Sequence, residues 1–139
     1  MNDQQFKTWI RQCEGLRLEP YLDSTGKATI GYGRNLTDVG ISKEEAEILL
    51  DHDIKRTYKE LFQLPWFLPL PDDVQFALAN MCFNLGLPKL LTFKKMIGAL
   101  KINNFKAAAR EALNSEWAQQ VGQRATQVAL MISEATNEA

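Results

Sequence analysis

Residues 14–33 read EGLRLEPYLDSTGKATIGYG, and this stretch decides the fold. Upstream of it Phe6, Trp9, Ile10 and Cys13 recur at helical spacing, so residues 3–13 read as an amphipathic helix. Gly15 stops that helix, since glycine takes the left-handed backbone that closes one. Pro20, Gly26, Gly31, Gly33 and Gly40 then break any helical continuation. Asp23-Ser24-Thr25-Gly26 is a tight-turn sequence: the Asp accepts local backbone bonds and the Gly tolerates positive φ. Ala28, Ile30 and Tyr32 alternate with Thr29 and the glycines in strand fashion. The stretch predicts a small antiparallel hairpin or meander.

Beyond it the pattern turns helical. Ser42-Lys43-Glu44-Glu45 is a capping box. Ala46, Leu49, Leu50, Ile54, Tyr58, Leu61 and Phe62 form one stripe behind it, predicting a long helix over 43–63. Pro65, Pro69 and Pro71 punctuate an apolar linker. Pro71-Asp72-Asp73 then opens a helix that buries Val74, Ala77, Leu78, Met81, Cys82 and Leu85 and stops at Gly86. Three more helices are expected, over about 92–101, 104–113 and 122–135. The expected class is α+β, mostly α, in a single domain over 1–139. A hairpin lobe (about 15–41) is joined by the long helix (about 43–63) to a helical lobe (about 71–136) that takes in the first helix. A cleft between lobes is the natural ligand site for that layout.

The 139 residues suit one domain, and such a chain should bury roughly two-thirds of its unfolded surface. A content of 45% hydrophobic and 24% charged residues argues against disorder. The net charge of −1 excludes a generally basic nucleic-acid binder. Cys13 and Cys82 make neither a disulfide framework nor a zinc site and read as two reduced, buried thiols. The polar start MNDQQFKTWIRQCEG has no signal-peptide core, and LPWFLPLP (64–71) is too short and proline-rich to span a membrane.

Glu14 and Asp23 are the chemical feature. Glu14 closes the first helix, where the partial negative charge of a helix C-terminus favours the neutral acid. Leu16 and Leu18 could add apolar cover. Asp23, in a polar turn with Ser24 and Thr25, should stay ionised. Two carboxyls pushed in opposite directions form the acid/base pattern of glycoside hydrolysis. Thr29, on the strand after the turn, could hold a water near Asp23. Taken alone, the pair reads first as a solvated helix end and an ordinary turn former, in a chain with 17 acidic residues.

The run from Glu14 to Asp23, with Gly26 and Thr29-Ile30-Gly31-Tyr32-Gly33, closely resembles the opening motif of the phage-type lysozymes (endolysins, glycoside hydrolase family 24, T-even phage type). The likeness extends through Asn80-Met81-Cys82-Phe83-Asn84-Leu85-Gly86 to Trp117 and Gln123-Arg124-Ala125, covering nearly the whole chain in order. It implies cleavage of the β-1,4 bond between N-acetylmuramic acid and N-acetylglucosamine in peptidoglycan, with Glu14 as general acid and Asp23 and Thr29 positioning water. It also implies inversion, which needs carboxyls roughly 6.5–9.5 Å apart. Phe83 and Asn84 match positions lining the sugar cleft, although Phe83 also reads as plain core. Arg124 matches a basic residue facing the acid, where it would favour the ionised form of Glu14 against the helix-end effect, so the resemblance leaves the sign of the net shift open. Trp117 reads as a buried anchor of the last helices.

The chain also departs from that family. Arg34 stands where many members have a His that pairs with an acid, and less sequence separates the hairpin from the long helix. Its near-neutral charge should weaken long-range attraction to an anionic wall. Three further signals are weak. Gly31-x-Gly33 lacks the third glycine of a dinucleotide site. Asp51-His52-Asp53 points its side chains in different directions, leaving His52 a surface residue. Lys94-Lys95 reads as a solvated helix face.

The resulting expectation is a monomeric endolysin that uses no metal or cofactor and binds peptidoglycan strands, with no nucleic-acid partner and no membrane insertion. It would collect in the host cytoplasm and reach the wall, on the periplasmic side, once a holin permeabilises the membrane. The alternatives are a lytic transglycosylase, which leaves 1,6-anhydro ends, and a non-catalytic wall-binding module. Asp23 and Thr29 argue against the first, because they have a task only if water attacks.

Overall fold

The structure is a computed structural model that describes residues 2–135. Residue 1 and residues 136–139, the outermost ends of the expected domain, lie outside the described residues. The fold is α+β and mostly α, as expected, with eight helices and one three-stranded antiparallel sheet among the described residues. It divides into two compact units, residues 1–49 and residues 50–139.

The first unit opens with α1 (Asp3–Glu14). Asn2 caps it by accepting the Gln5 N–H at 3.0 Å, and Gly15, at φ 71°, closes it by donating to the Arg11 carbonyl. The sheet follows, in the order β1 (Arg17–Leu22), β2 (Ala28–Gly31), β3 (Arg34–Asn35). Tyr21 pairs with Thr29 and Leu22 with Ala28, but a bulge intervenes before Arg17 meets Gly31. Pro20 lies inside that bulge, where its missing N–H breaks no ladder bond. Strand β3 sets Asn35 opposite Thr29 and Arg34 opposite Ile30. The loop after β3 is woven back onto β2. Leu36 N–H donates to the Ala28 carbonyl (2.7 Å), and the Thr37 hydroxyl accepts the Ala28 N–H (2.8 Å).

Helix α2 (Lys43–Phe62) starts on the expected capping box. Glu45 N–H donates to Ser42 Oγ (3.1 Å) and Ser42 N–H to Glu45 Oε1 (2.9 Å). Its apolar stripe is less covered than expected: Leu49, Leu50, Tyr58 and Phe62 are exposed, while Leu61 and Thr57 are buried. The Thr57 hydroxyl donates to the Asp53 carbonyl at 2.8 Å, so no polar atom is stranded.

The second unit holds a helical core. Gln75 Nε2 pins the proline-rich linker by donating to the Leu68 and Leu70 carbonyls (2.9 and 3.1 Å). Helix α3 (Asp72–Leu85) buries Val74, Ala77, Leu78, Met81 and Cys82, with Leu85 half-buried, and Gly86 stops it at φ 83°. Next come α5 (Lys94–Lys101), α6 (Phe105–Leu113) and α8 (Gln123–Ser133). Two short helices were not anticipated, α4 (Leu87–Leu90) and α7 (Glu116–Val121). Helix α6 packs on α5 and α8, and α8 on α3, around Phe67, Leu78, Met81, Leu90, Met96, Leu100 and Ile132. Trp117 is 2% exposed and meets Phe93 edge-on at 6.3 Å, as an anchor should.

One cysteine differs from expectation. Cys82 is buried, but Cys13 is exposed, because α1 has no buried residue at all. The helix has its apolar stripe, yet periodicity states which face is apolar and not whether anything covers it.

Candidate active site

The proposed acid, the proposed water-holding pair and the glycines between them all fall in the first unit. Glu14 is the last residue of α1 and is exposed. Leu16 and Leu18 are also exposed, at 52% and 79%, so the apolar cover expected from them is absent. Gly33 stands against the Glu14 carboxyl. A Cβ built there would lie 2.7 Å from Oε2 and 2.9 Å from Cδ. Gly33 also has φ +81°, so this backbone both needs glycine and uses its smallness.

Asp23 sits at the other end of β2. Its Oδ1 accepts the Thr25 N–H (2.8 Å), the Thr25 hydroxyl (2.7 Å) and the Lys27 N–H (2.9 Å). The Lys27 N–H above all, then the Thr25 hydroxyl, hold this carboxyl below its ordinary range. It is therefore ionised at neutral pH, as the turn sequence suggested. All three bonds fall on Oδ1, and Oδ2 has no protein partner among the described residues.

Thr29 is 4% exposed, and its hydroxyl donates to the Lys27 carbonyl at 2.9 Å. A hydroxyl has one proton and two acceptor lone pairs. With the proton committed, the Thr29 oxygen is left as an acceptor.

Arg34 does pair with an acid. Its guanidinium forms a fork on Glu45, Nη1 to Oε1 at 2.9 Å and Nη2 to Oε2 at 2.6 Å, and Nη1 also reaches the Gly40 carbonyl at 3.1 Å. The Arg34 bond, then the Ser42 N–H, bring the Glu45 carboxyl down to about 2. The sequence marked Arg34 as a departure but did not reveal this partner.

The candidate sugar-binding residues fall in the second unit. Phe83 (42% exposed) and Arg124 line one hollow of about 230 Å³, with Tyr58, Phe76 and Asn80. Arg124 is anchored there: Nε donates to Asn80 Oδ1 at 2.7 Å and Nη2 to the Asn80 carbonyl at 3.2 Å. Asn84 does not line this hollow. Its Oδ1 accepts the Trp117 Nε1–H at 2.8 Å. A second hollow of about 460 Å³ has Lys89, Lys94, Lys95, Glu111, Asn114 and Trp117 in its wall, so the Lys94-Lys95 face borders a concavity that the sequence did not announce. His52 is exposed, as read from its position.

A mostly helical chain whose small sheet lies between an acid at a helix end and an ionised carboxylate in a turn has the makeup of a lysozyme-type glycoside hydrolase. The family model described as phage lysozyme matches residues 11–131, and the chain belongs to that family. It is 30% identical over 119 residues to an endolysin of Acyrthosiphon pisum secondary endosymbiont phage 1, covering 83% of this chain and 80% of the relative. It is 25% identical to "Probable T4-type lysozyme 1" of Dictyostelium discoideum, over 94% of each chain. A third relative is the pre-baseplate central spike protein Gp5 of Enterobacteria phage T4, at 27% identity over 88% of this chain but only 26% of that protein. The chain thus has a lysozyme function, and its family implies peptidoglycan as substrate.

Proposed function

We propose that the chain hydrolyses the β-1,4 bond between N-acetylmuramic acid and N-acetylglucosamine with inversion. Glu14 donates the proton to the leaving oxygen. Asp23 and Thr29 hold the attacking water. The observation that carries this reading is the Lys27 peptide. Its N–H fixes Asp23 Oδ1, and its carbonyl takes the Thr29 proton. Two acceptors remain nearby, Asp23 Oδ2 and the Thr29 oxygen. A water bound between acceptors gives them its protons and turns a lone pair outward, which is what an attacking nucleophile requires.

Glu14 lies against Gly33, beyond the Gly31 end of β2, and Asp23 pairs with Lys27, before the Ala28 end. Inversion calls for carboxyls roughly 6.5–9.5 Å apart with room for a water between them.

Phe83, Asn84 and Arg124 are read as sugar contacts. Phe83 offers an exposed ring, and Asn84 keeps its amide N–H groups while Trp117 holds its oxygen. We further read the chain as one lysozyme-like domain and a monomer. It would gather in the host cytoplasm and act after a holin opens the membrane. No described helix is long and apolar enough to cross a membrane. The test of function is Glu14→Gln assayed by loss of turbidity of exposed cell walls. Clearing should fall to background, and near-normal clearing would remove Glu14 from its role.

A further inference from the structure

We propose that Arg34 and Glu45 are positioning residues for the proton donor, a clamp that holds the Gly33 backbone against the Glu14 carboxyl. The inference rests on the reading of Glu14 as the acid. Gly33 touches that carboxyl, and Arg34 is the next residue. Arg34 lies in β3, opposite Ile30. From there its guanidinium ties together the first turn of α2, through Glu45, and the end of the intervening loop, through the Gly40 carbonyl. Glu45 is in turn fixed by the Ser42 N–H. Four bonds therefore converge one residue from the wall of the acid.

Energy alone gives this pair little purpose. Both side chains are about two-fifths exposed, at 39% and 40%, and ion pairs in that setting add little to stability. The two-pronged geometry adds orientation instead, because a fork fixes an angle as well as a distance. Orientation is what a proton donor needs, since misplacement by about 1 Å can cost on the order of a hundredfold in rate.

The test is steady-state kinetics on soluble peptidoglycan fragments, at a temperature where circular dichroism shows every variant folded. Arg34→Gln and Glu45→Gln should each lower kcat about tenfold or more with KM within about twofold. The double variant should be no slower than either single one. Arg34→Lys, which keeps the charge but not the fork, should fall between. Asn104→Ala, which removes the side-chain cap of α6, should lower Tm and leave kcat alone. An unchanged kcat in folded Arg34→Gln, or strictly additive losses in the double variant, would overturn the proposal. If Glu14→Gln stays active while the clamp variants are slow, the acid assignment fails instead, so the two failures are distinguishable.

Discussion

Asp23 and Thr29 meet at one carbonyl: the Lys27 oxygen accepts the Asp23 N–H at 2.9 Å and the Thr29 hydroxyl at 2.9 Å. The turn that ionises Asp23 is thereby the same element that aims the Thr29 lone pairs. Thr29→Val keeps the shape and deletes the oxygen. Lys27 retains its bond from Asp23, so the stability cost should be about 1 kcal/mol. Activity should fall far more than stability, and Thr29→Ser should restore much of it. Wall-clearing rates alongside thermal melts check this.

Gly33→Ala should be worse than any other glycine-to-alanine change in the chain. The new methyl meets Glu14 Oε2 at 2.7 Å and also strains a φ of +81°. Gly122→Ala has the strain, at φ +60°, but nothing within 4 Å of the methyl. Strain alone is worth about 1–2 kcal/mol. Gly122→Ala should lose that much in urea melts and Gly33→Ala more, and only Gly33→Ala should lose most of its activity.

Glu45 gives a pH signature. Its carboxyl is depressed from 4.5 to about 2 in the fold, so its stabilising effect is complete above 4.5 and disappears as pH falls through about 2. Asp23 is shifted in the same direction and adds to the same slope. Thermal melts from pH 6 to pH 2 should show a small Tm drop across that window, because the pair is half-exposed and solvent-screened, and Glu45→Gln should flatten part of it. A larger drop in Glu45→Gln than in the unaltered chain would contradict the pairing with Arg34.

The two thiols should separate cleanly. Burial, then the nearby Glu60 charge, push the Cys82 thiol up to about 11, while Cys13 is exposed. Thiol titration at neutral pH should count one reactive cysteine in the native chain and two after denaturation. Two in the native chain would contradict the burial of Cys82.

Much of this fold was legible because local signals agreed with one another. The capping box at Ser42–Glu45 and the Gly86 stop each mark a boundary by a bond that the chain makes within a few residues. The turn at Asp23 is of the same kind, which is why its ionised state could be read in advance. Helices α4 and α7 were missed because they are too short to show a period. For α7 the signal was Ser115, whose hydroxyl accepts the Ala118 N–H, with Gly122 beyond. The exposure of Cys13 and the Arg34–Glu45 fork were not legible, because cover and long-range pairing depend on partners that spacing does not name. The same holds for Asn84, whose oxygen Trp117 takes from far along the chain.

Mass spectrometry of peptidoglycan digested in heavy-oxygen water reads the fate of the cleaved bond. The digest should contain reducing muramic-acid ends carrying one solvent oxygen at the anomeric carbon, absent with Glu14→Gln. Anhydro ends without solvent oxygen would contradict hydrolysis, since the Asp23 and Thr29 acceptors would then have no water to hold.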